Sequence, residues 1–377
     1  MKLLIISTAP FILKDEKCFA YSPYVKELVI WEKYVNEVSF CCPVWQNQNG
    51  LLVEEIPFEI KKHYELIEFN LNSFVNAVQA FFYAFRNSFI IFKAMYQADH
   101  IHLRCPGNIG LIGCLVQVLF PFKSKTAKYA GNWDPKSKQP WSYRLQKWLL
   151  SNPYLTRNMQ VLVYGAWEGS SKNIKPFFTA TYWETEKTPL KHLNFANAIR
   201  FVFVGTLSEG KRPMYAVALV EALFKRGYPV QLELYGEGKE RVLLEDYIEK
   251  NHLKSFIELK GNQSKEIIKS AYQNSHFVLL PSKSEGWPKA IAEGMFWGCV
   301  PLATSISCVH FMLDYGNRGV ILTTEVEQDV QQVIAILNNE MDYFEKRKKA
   351  SDWSRYYTLD VFENEIERIV LDQNNYF

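Results

Sequence analysis

A chain of 377 residues exceeds what one hydrophobic core usually organises, so two domains of roughly 150–200 residues each are expected. Hydrophobic residues make up 48% and charged residues 22%, the balance of a soluble globular protein rather than of a fibrous or low-complexity one. The net charge of +3 hides an asymmetry: residues 1–195 carry 22 Lys/Arg against 15 Asp/Glu, whereas residues 196–377 carry 21 against 25. A basic half and an acidic half suit two domains that meet different partners.

The run Met1 to Ile6 is short and is followed by Ser7-Thr8-Ala9-Pro10, so it reads as a first core strand over 3–8 and not as a signal peptide. Ser22 suits the N-cap of a first helix, with Pro23 at its first position. Val38 to Cys42 is a second strand. Helical spacing over 72–96 precedes a strand at 99–103, a helix at 109–120, a strand at 126–130, a helix at 141–150 and a strand at 160–164. The longest uncharged stretch, Cys105 to Phe122, is broken by Pro106, Gly107, Asn108 and Pro121, too irregular to span a bilayer as one helix. Seven cysteines (18, 41, 42, 105, 114, 299 and 308) show no C-x-x-C spacing and an odd count, which predicts free thiols in a reducing cytoplasm.

Thr179 to Asn197 lacks periodicity and contains Pro189, so the linker is placed there. This gives domains of 1–190 and 191–352, with a closing helix within 353–377. In the second half, Phe201-Val202-Phe203-Val204-Gly205 is an apolar run of the kind buried in parallel sheets. A helix at 213–226 follows, then a strand from Val230 to Tyr235 ending at Gly236-Glu237-Gly238. Next come a helix at 239–251, a strand at 256–260 ending at Gly261, a helix at 264–274, a strand at 276–280, a helix at 288–298 and a strand from Val300 to Ala303. Strands alternating with helices imply a parallel sheet covered on both faces, with ligands beyond the C-terminal strand ends.

Pro281-Ser282-Lys283-Ser284-Glu285-Gly286-Trp287-Pro288, continuing to Glu293, is the most specific segment. A strand ends, a loop presents Glu285, and Gly286 allows close backbone approach to a ligand. Pro288 suits the start of a helix whose N-terminal amides attract anions such as a diphosphate. Glu285 on the loop and Glu293 on the helix are placed to grip hydroxyls at separate points of an extended ligand.

This stretch resembles the E-x7-E element of the family 4 retaining glycosyltransferases, which have the GT-B fold. Val204-Gly205-Thr206 through Lys211, Leu234 to Gly238, and Leu259-Lys260-Gly261-Asn262 resemble that family's neighbouring strand ends, so the likeness covers 200–325. It implies an α/β chain of two Rossmann-like, doubly wound parallel-sheet domains facing a central cleft. It implies a nucleotide diphosphate sugar as co-substrate, with no further cofactor and no metal. Glu285 would contact the donor sugar with the amides of Gly286 and Trp287 nearby, and Glu293 the ribose. Lys211, joined by Arg212, would neutralise the departing diphosphate. Gly205, Thr206, Gly236, Gly261 and Asn262 complete the implied donor site. Thr206 stands where the family usually has an arginine, a place that Arg212 is then expected to fill.

The first domain departs further. Gly131 occupies the position where the resemblance places a histidine, and Asn132 and Asp134 are candidate catalytic replacements, with turn or capping roles as the alternative. His102, Arg104 and Trp133 are candidate acceptor contacts; a satisfied strand-end histidine is the other reading of His102. Between 123 and 147, seven Lys/Arg interleave with Tyr129, Trp133, Trp141, Tyr143 and Trp148 against the one acid Asp134. That composition suits an anionic membrane surface, with a lipid-linked glycan as acceptor on the cytoplasmic face, and it suits nucleic acid less well. The stripe Phe74, Val75, Val78, Phe81, Phe82, Phe85, Phe89, Ile90 reads by itself as core packing. A nucleotide-sugar epimerase and a non-catalytic sugar-nucleotide-binding module are the alternative functions.

Overall fold

The computed structural model describes residues 1–15, 17–48, 52–69 and 74–372, of which 74–77 and 372 by backbone alone. The chain forms two units: Met1–Phe177 together with the chain from Phe362 onward, and Phe178–Val361.

In the first unit the elements run β1 (Lys2–Ile6), β2 (Phe11–Lys14), β3 (Lys17–Tyr21), α1 (Ser22–Glu32), β4 (Glu37–Cys42), β5 (Val44–Trp45), β6 (Val53–Glu55), β7 (Ile60–Glu65), α2 (Phe74–Gln97), β8 (His100–Cys105), α3 (Asn108–Val116), β9 (Ser124–Tyr129), α4 (Trp141–Ser151), β10 (Met159–Tyr164) and β11 (Ile174–Phe177). Among the described residues they build a parallel sheet ordered β11-β10-β9-β8-β1-β4-β7 and a small sheet ordered β5-β2-β3-β6. The central strands β1 and β8 are buried on both faces, as a covered parallel sheet requires, although β8 carries His100, His102 and Arg104 among its six residues. The sequence reading missed the small sheet, β7 and β11. These strands are two to six residues long, and β7 and β11 are edge strands carrying Lys61, Lys62 and Pro176, which erase the apolar pattern. Ser22 is the first helical residue and not the cap. Its amide donates to the Leu52 carbonyl and its hydroxyl to Glu54, tying α1 to the small sheet.

In the second unit β12 (Ile199–Val204), α5 (Pro213–Lys225), β13 (Val230–Tyr235), α6 (Arg241–Lys250), β14 (Ile257–Gly261), α7 (Lys265–Asn274), β15 (Phe277–Leu280), α8 (Lys289–Phe296), β16 (Val300–Thr304), α9 (Val309–Met312), β17 (Val320–Leu322), α10 (Val326–Leu337) and α11 (Glu340–Arg355) follow in turn. The parallel sheet is ordered β14-β13-β12-β15-β16-β17. Its order therefore reverses between β12 and β15, the place where such sheets open a binding crevice. The predicted linker belongs to this unit: Tyr182 packs on Phe296 and Trp297, while Arg347 and Arg355 of α11 donate to the carbonyls of Lys191 and Thr188.

The closing helix placed within 353–377 begins at Leu359 and not at 353. The chain breaks after α11 where Tyr357 wedges between Trp353 and Phe178, and α12 (Leu359–Asp372) begins anew. Phe362, Ile366, Ile369 and Val370 of α12 are buried, with Phe362 against Phe177. This helix thus completes the first unit's core. Phe362→Ala is expected to cost about 3–5 kcal/mol, the usual loss for a fully buried phenylalanine, read as a lower denaturant midpoint for that unit.

Candidate functional site

The loops at the reversal point of the second sheet approach each other unusually closely. A Cβ on Gly236, whose φ is +136°, would lie 2.0 Å from the Gly205 carbonyl oxygen, and one on Gly238 would lie 2.2 Å from that of Leu207. Hydrogen bonds sew the same loops together: Gly205 N to Tyr235 O, Leu207 N to Glu237 O and Gly236 N to Gly261 O, each 2.9 Å. The glycines at Gly205, Gly236 and Gly261 are therefore brought together, but Gly236 is dictated by backbone meeting backbone. Thr206 and Asn262 are exposed on the rim.

This seam positions the 208–212 turn. Lys211 and Arg212 amides both donate to the Ser208 carbonyl, and Arg212 adopts left-handed backbone (φ 51°) before Pro213 starts α5. From the other side of the reversal, Lys283 N donates to Gly210 O at 2.8 Å, so the loop after β15 is tied to this turn. Lys211 Nζ then meets Glu285 Oε1 at 2.5 Å, joining two residues singled out from the sequence. Arg212 has no carboxylate partner among the described residues. The loop is held further by residues the sequence reading missed: Thr304 Oγ1 donates to Ser282 O, and Ser307 Oγ to Gly286 O at 3.0 Å. Their one sequence signal is that Thr304-Ser305-Ile306-Ser307 follows the next strand of the sheet.

Pro288 caps α8, its carbonyl accepting the Ile291 and Ala292 amides, and the first turn carries the positive end of the helix dipole. Gly294 keeps α8 close to β15, since a Cβ there would lie 2.6 Å from Val278 Cγ1. Glu293 is not drawn to the Lys211–Glu285 pair. Its oxygens accept from Thr181 Oγ1 at 2.7 Å and Tyr272 OH at 3.4 Å. Burial raises its pKa above the ordinary carboxyl range, opposed by those hydrogen bonds and by Lys289 and Lys265. The Trp287 indole is buried against Trp353 and Tyr357, so only its backbone remains for the donor role expected of it.

In the first unit the expected acceptor residues are differently placed. His102 lies inside β8, which runs on to Cys105, and its ring is buried against Trp31 with Nδ1 2.8 Å from Thr126 Oγ1. It is the satisfied histidine of the two readings. His100 reaches the same hydroxyl at 2.9 Å. Desolvation lowers both, His100 to about 4. Arg104 pairs with Glu27 at 2.9 Å and lies over the Tyr24 ring, while Lys128 takes the other Glu27 oxygen at 2.7 Å. Trp133 is buried edge-on to Tyr129 and offers no acceptor surface. Asn132 and Asp134 each accept a backbone amide two residues ahead, from Asp134 N and Lys136 N, which is the turn reading of both. Gly131 is a steric necessity: a Cβ there would lie 2.9 Å from Pro106 Cγ, so a histidine does not fit without displacing that proline.

No group of three or more His, Cys, Asp or Glu that could hold a metal occurs among the described residues, and the seven cysteines are free.

Residues 184–356 match the family described as Glycosyl transferases group 1. Over 149 residues the chain is 28% identical to the UDP-N-acetylglucosamine--peptide N-acetylglucosaminyltransferase GtfA subunit of Streptococcus parasanguinis, covering 37% of this chain and only 27% of that one. Over 155 residues it is 26% identical to the GDP-mannose:cellobiosyl-diphosphopolyprenol alpha-mannosyltransferase of Xanthomonas oryzae pv. oryzae (strain PXO99A), 40% of each chain. Among solved structures, Anabaena Alr3699/HepE in complex with UDP matches at TM-score 0.67 with 13% identity, over 99% of this chain and 100% of that one. The fold is thus of the GT-B class, as the resemblance implied.

Two pH effects follow. A histidine whose folded pKa lies below 6.5 binds fewer protons folded than unfolded, so stability held above pH 6.5 is lost as the pH falls towards 4. For His100 the loss is on the order of 3 kcal/mol, and urea unfolding should show it shrinking in His100→Gln. Glu293 has the opposite sign of imbalance: its raised folded pKa means that the folded state loses stability as the pH rises through it. Glu293→Gln keeps an acceptor for Thr181 without the buried charge. It should melt at or above the wild-type temperature at pH 7, with the difference narrowing on acidification.

Proposed function

We propose that this chain, whose residues 184–356 match the family described as Glycosyl transferases group 1, moves a sugar from a nucleotide diphosphate sugar to a glycan acceptor with retention of configuration. The observation that carries this reading is the Lys211–Glu285 pair at the sheet's reversal point, with Arg212 beside it and the N-terminus of α8 on the same loop. Cations and helix amides that are fixed before the reaction suit charge that develops on a leaving diphosphate. In this reaction the bond from the sugar's reactive carbon to the diphosphate oxygen breaks, its electron pair leaving with the nucleotide. The acceptor hydroxyl forms the new bond on the same face and its proton passes to the departing phosphate, so no protein base is required. That route is consistent with Gly131 at the position of the absent histidine. Charge neutralisation by Lys211 and Arg212 is proposed to serve without a bound metal or other cofactor. Glu285 grips the sugar hydroxyls once Lys211 turns to the diphosphate, and Glu293 the ribose on exchanging its bond from Thr181.

The acceptor is proposed to be a lipid-linked glycan of cell-surface polysaccharide or lipopolysaccharide assembly, met at the inner face of the cell membrane. The printed substrate of the Xanthomonas relative, a diphosphopolyprenol-linked sugar, supports it. So does the basic character of the first half.

Incubation with a panel of nucleotide sugars tests the reading. Wild type is expected to release nucleotide diphosphate, and Lys211→Ala or Glu285→Gln to lower that release about a hundredfold, the usual scale for losing one fixed transition-state contact. Arg212→Ala should weaken nucleotide-induced thermal stabilisation. Unchanged release and binding in all three variants would falsify the donor assignment.

A further inference from the structure

Of the stripe on α2 that the sequence assigns to the core, Ile90 packs on the core but the phenylalanines face outward. Phe81, Phe82, Phe85 and Phe89 are between 65% and 74% exposed, and Phe92 and Tyr96 continue the row. Phe74 and Val75 lie outside the described side chains. The spacing 81, 85, 89, 92, 96 is one face of a helix. The inward face is made instead of Ala80, Asn87, Ile91, Ala94 and Met95, with Asn87 bonding the backbone of Ile67 through both its amide nitrogen and its oxygen. The helix therefore buries two alanines, Ile91 and Met95 but no aromatic ring of this row, and offers its large aromatics to the surroundings.

The aromatic face continues beyond α2. Phe92 packs on Phe120, Lys123 Nζ donates to the Tyr96 carbonyl at 3.0 Å, and next to it Phe122 is exposed with Arg157 over its ring. The charges set into this surface share one sign. Arg86 and Lys93 are the charged residues of α2, both exposed, and the chain holds no acid between Glu68 and Asp99. At the edge, Asp99 accepts the Lys2 amide. By contrast, the segment 123–147 is a poorer surface than its composition suggests: Lys125 and Lys128 are buried, Lys147 is spent on the carbonyls of Trp133 and Asp134, and Tyr129 and Trp133 are internal.

We propose that the aromatic face of α2, extended by Phe122, is the surface by which this chain lies on an anionic bilayer. The rings enter the headgroup layer while Arg86 and Lys93 meet lipid phosphates. Patches of exposed aromatics this large are uncommon on proteins that remain free in water, and acid-free basic flanks complement anionic lipid. No helix among the described residues is long and apolar enough to cross a membrane, so attachment by this face is in the plane of the interface. The inference rests on the membrane part of the function proposed above and moves the attachment from 123–147 to α2.

The full chain is to be co-sedimented with vesicles of phosphatidylcholine, with and without phosphatidylglycerol, alongside the variant Phe81→Ser/Phe85→Ser/Phe89→Ser and the variant Arg86→Glu/Lys93→Glu. Wild type is expected to bind the anionic vesicles. The serine variant should bind about tenfold more weakly or worse at unchanged melting temperature, and the charge-reversed variant should lose most binding at low salt. Absence of wild-type binding at low salt, or binding by the serine variant equal to wild type, would overturn the proposal. So would a wild-type dimer that the serine substitutions dissolve, because a second copy would then cover the face. Nucleotide release from donor in solution, measured on the same samples, separates this from the transfer reading: release without vesicle binding sinks only the attachment, and binding without release sinks only the transfer.

Discussion

The candidate donor site depends on the reversal of strand order between β12 and β15. Connections after these two adjacent strands run to opposite sides of the sheet, so their loops leave the C-terminal edge side by side with nothing between them. The near-contact of Gly236 and Gly238 with the carbonyls of Gly205 and Leu207 then fixes where the first loop can go. With that loop pinned, Lys283 bonds to Gly210 and Glu285 is carried to Lys211. The chemistry of the pair is thus inherited from backbone packing. A larger residue at Gly236 would act on the site without touching any ligand.

Part of this was legible from sequence because β12 and β15 end in apolar runs that stop at glycine or proline, while β13 alternates apolar and polar residues up to Gly236. The loop residues Lys211 and Glu285 stand immediately after such runs, so their position on the sheet edge follows from chain order. What could not be read are the partners that arrive from far along the chain. Thr181 comes to Glu293 from a segment without periodicity, and Trp353 of α11 and Tyr357 just beyond it cover the Trp287 indole. A tryptophan two residues past Glu285 looks like a ligand contact until the helix that buries it is seen.

The first unit was read less well for a different reason. Its edge strands carry lysine, glutamate and proline where alternation would have announced them, and its polar residues satisfy one another internally. His102 seemed to end a strand because β8 was cut two residues short; Arg104 and Lys128 share Glu27. Gly131 shows how a missing residue can be explained by packing, since the Pro106 ring occupies the space that a side chain would need.

Amphipathic spacing reports that a helix has two faces without reporting which one is inside. On α2 the apolar aromatics and the small residues are both compatible with a buried stripe, and the decision is made by what the sheet can accommodate. Asn87, held by both polar atoms to Ile67, fixes the rotation of the helix so that alanines and Met95 meet the core and the phenylalanines cannot. Turning the helix to bury the aromatics would strand that amide in solvent and expose the alanine face, gaining apolar burial only if the sheet moved outward to admit four phenylalanine rings. A close-packed core does not make such room cheaply. The exposed aromatics are therefore enforced by the packing of the opposite face.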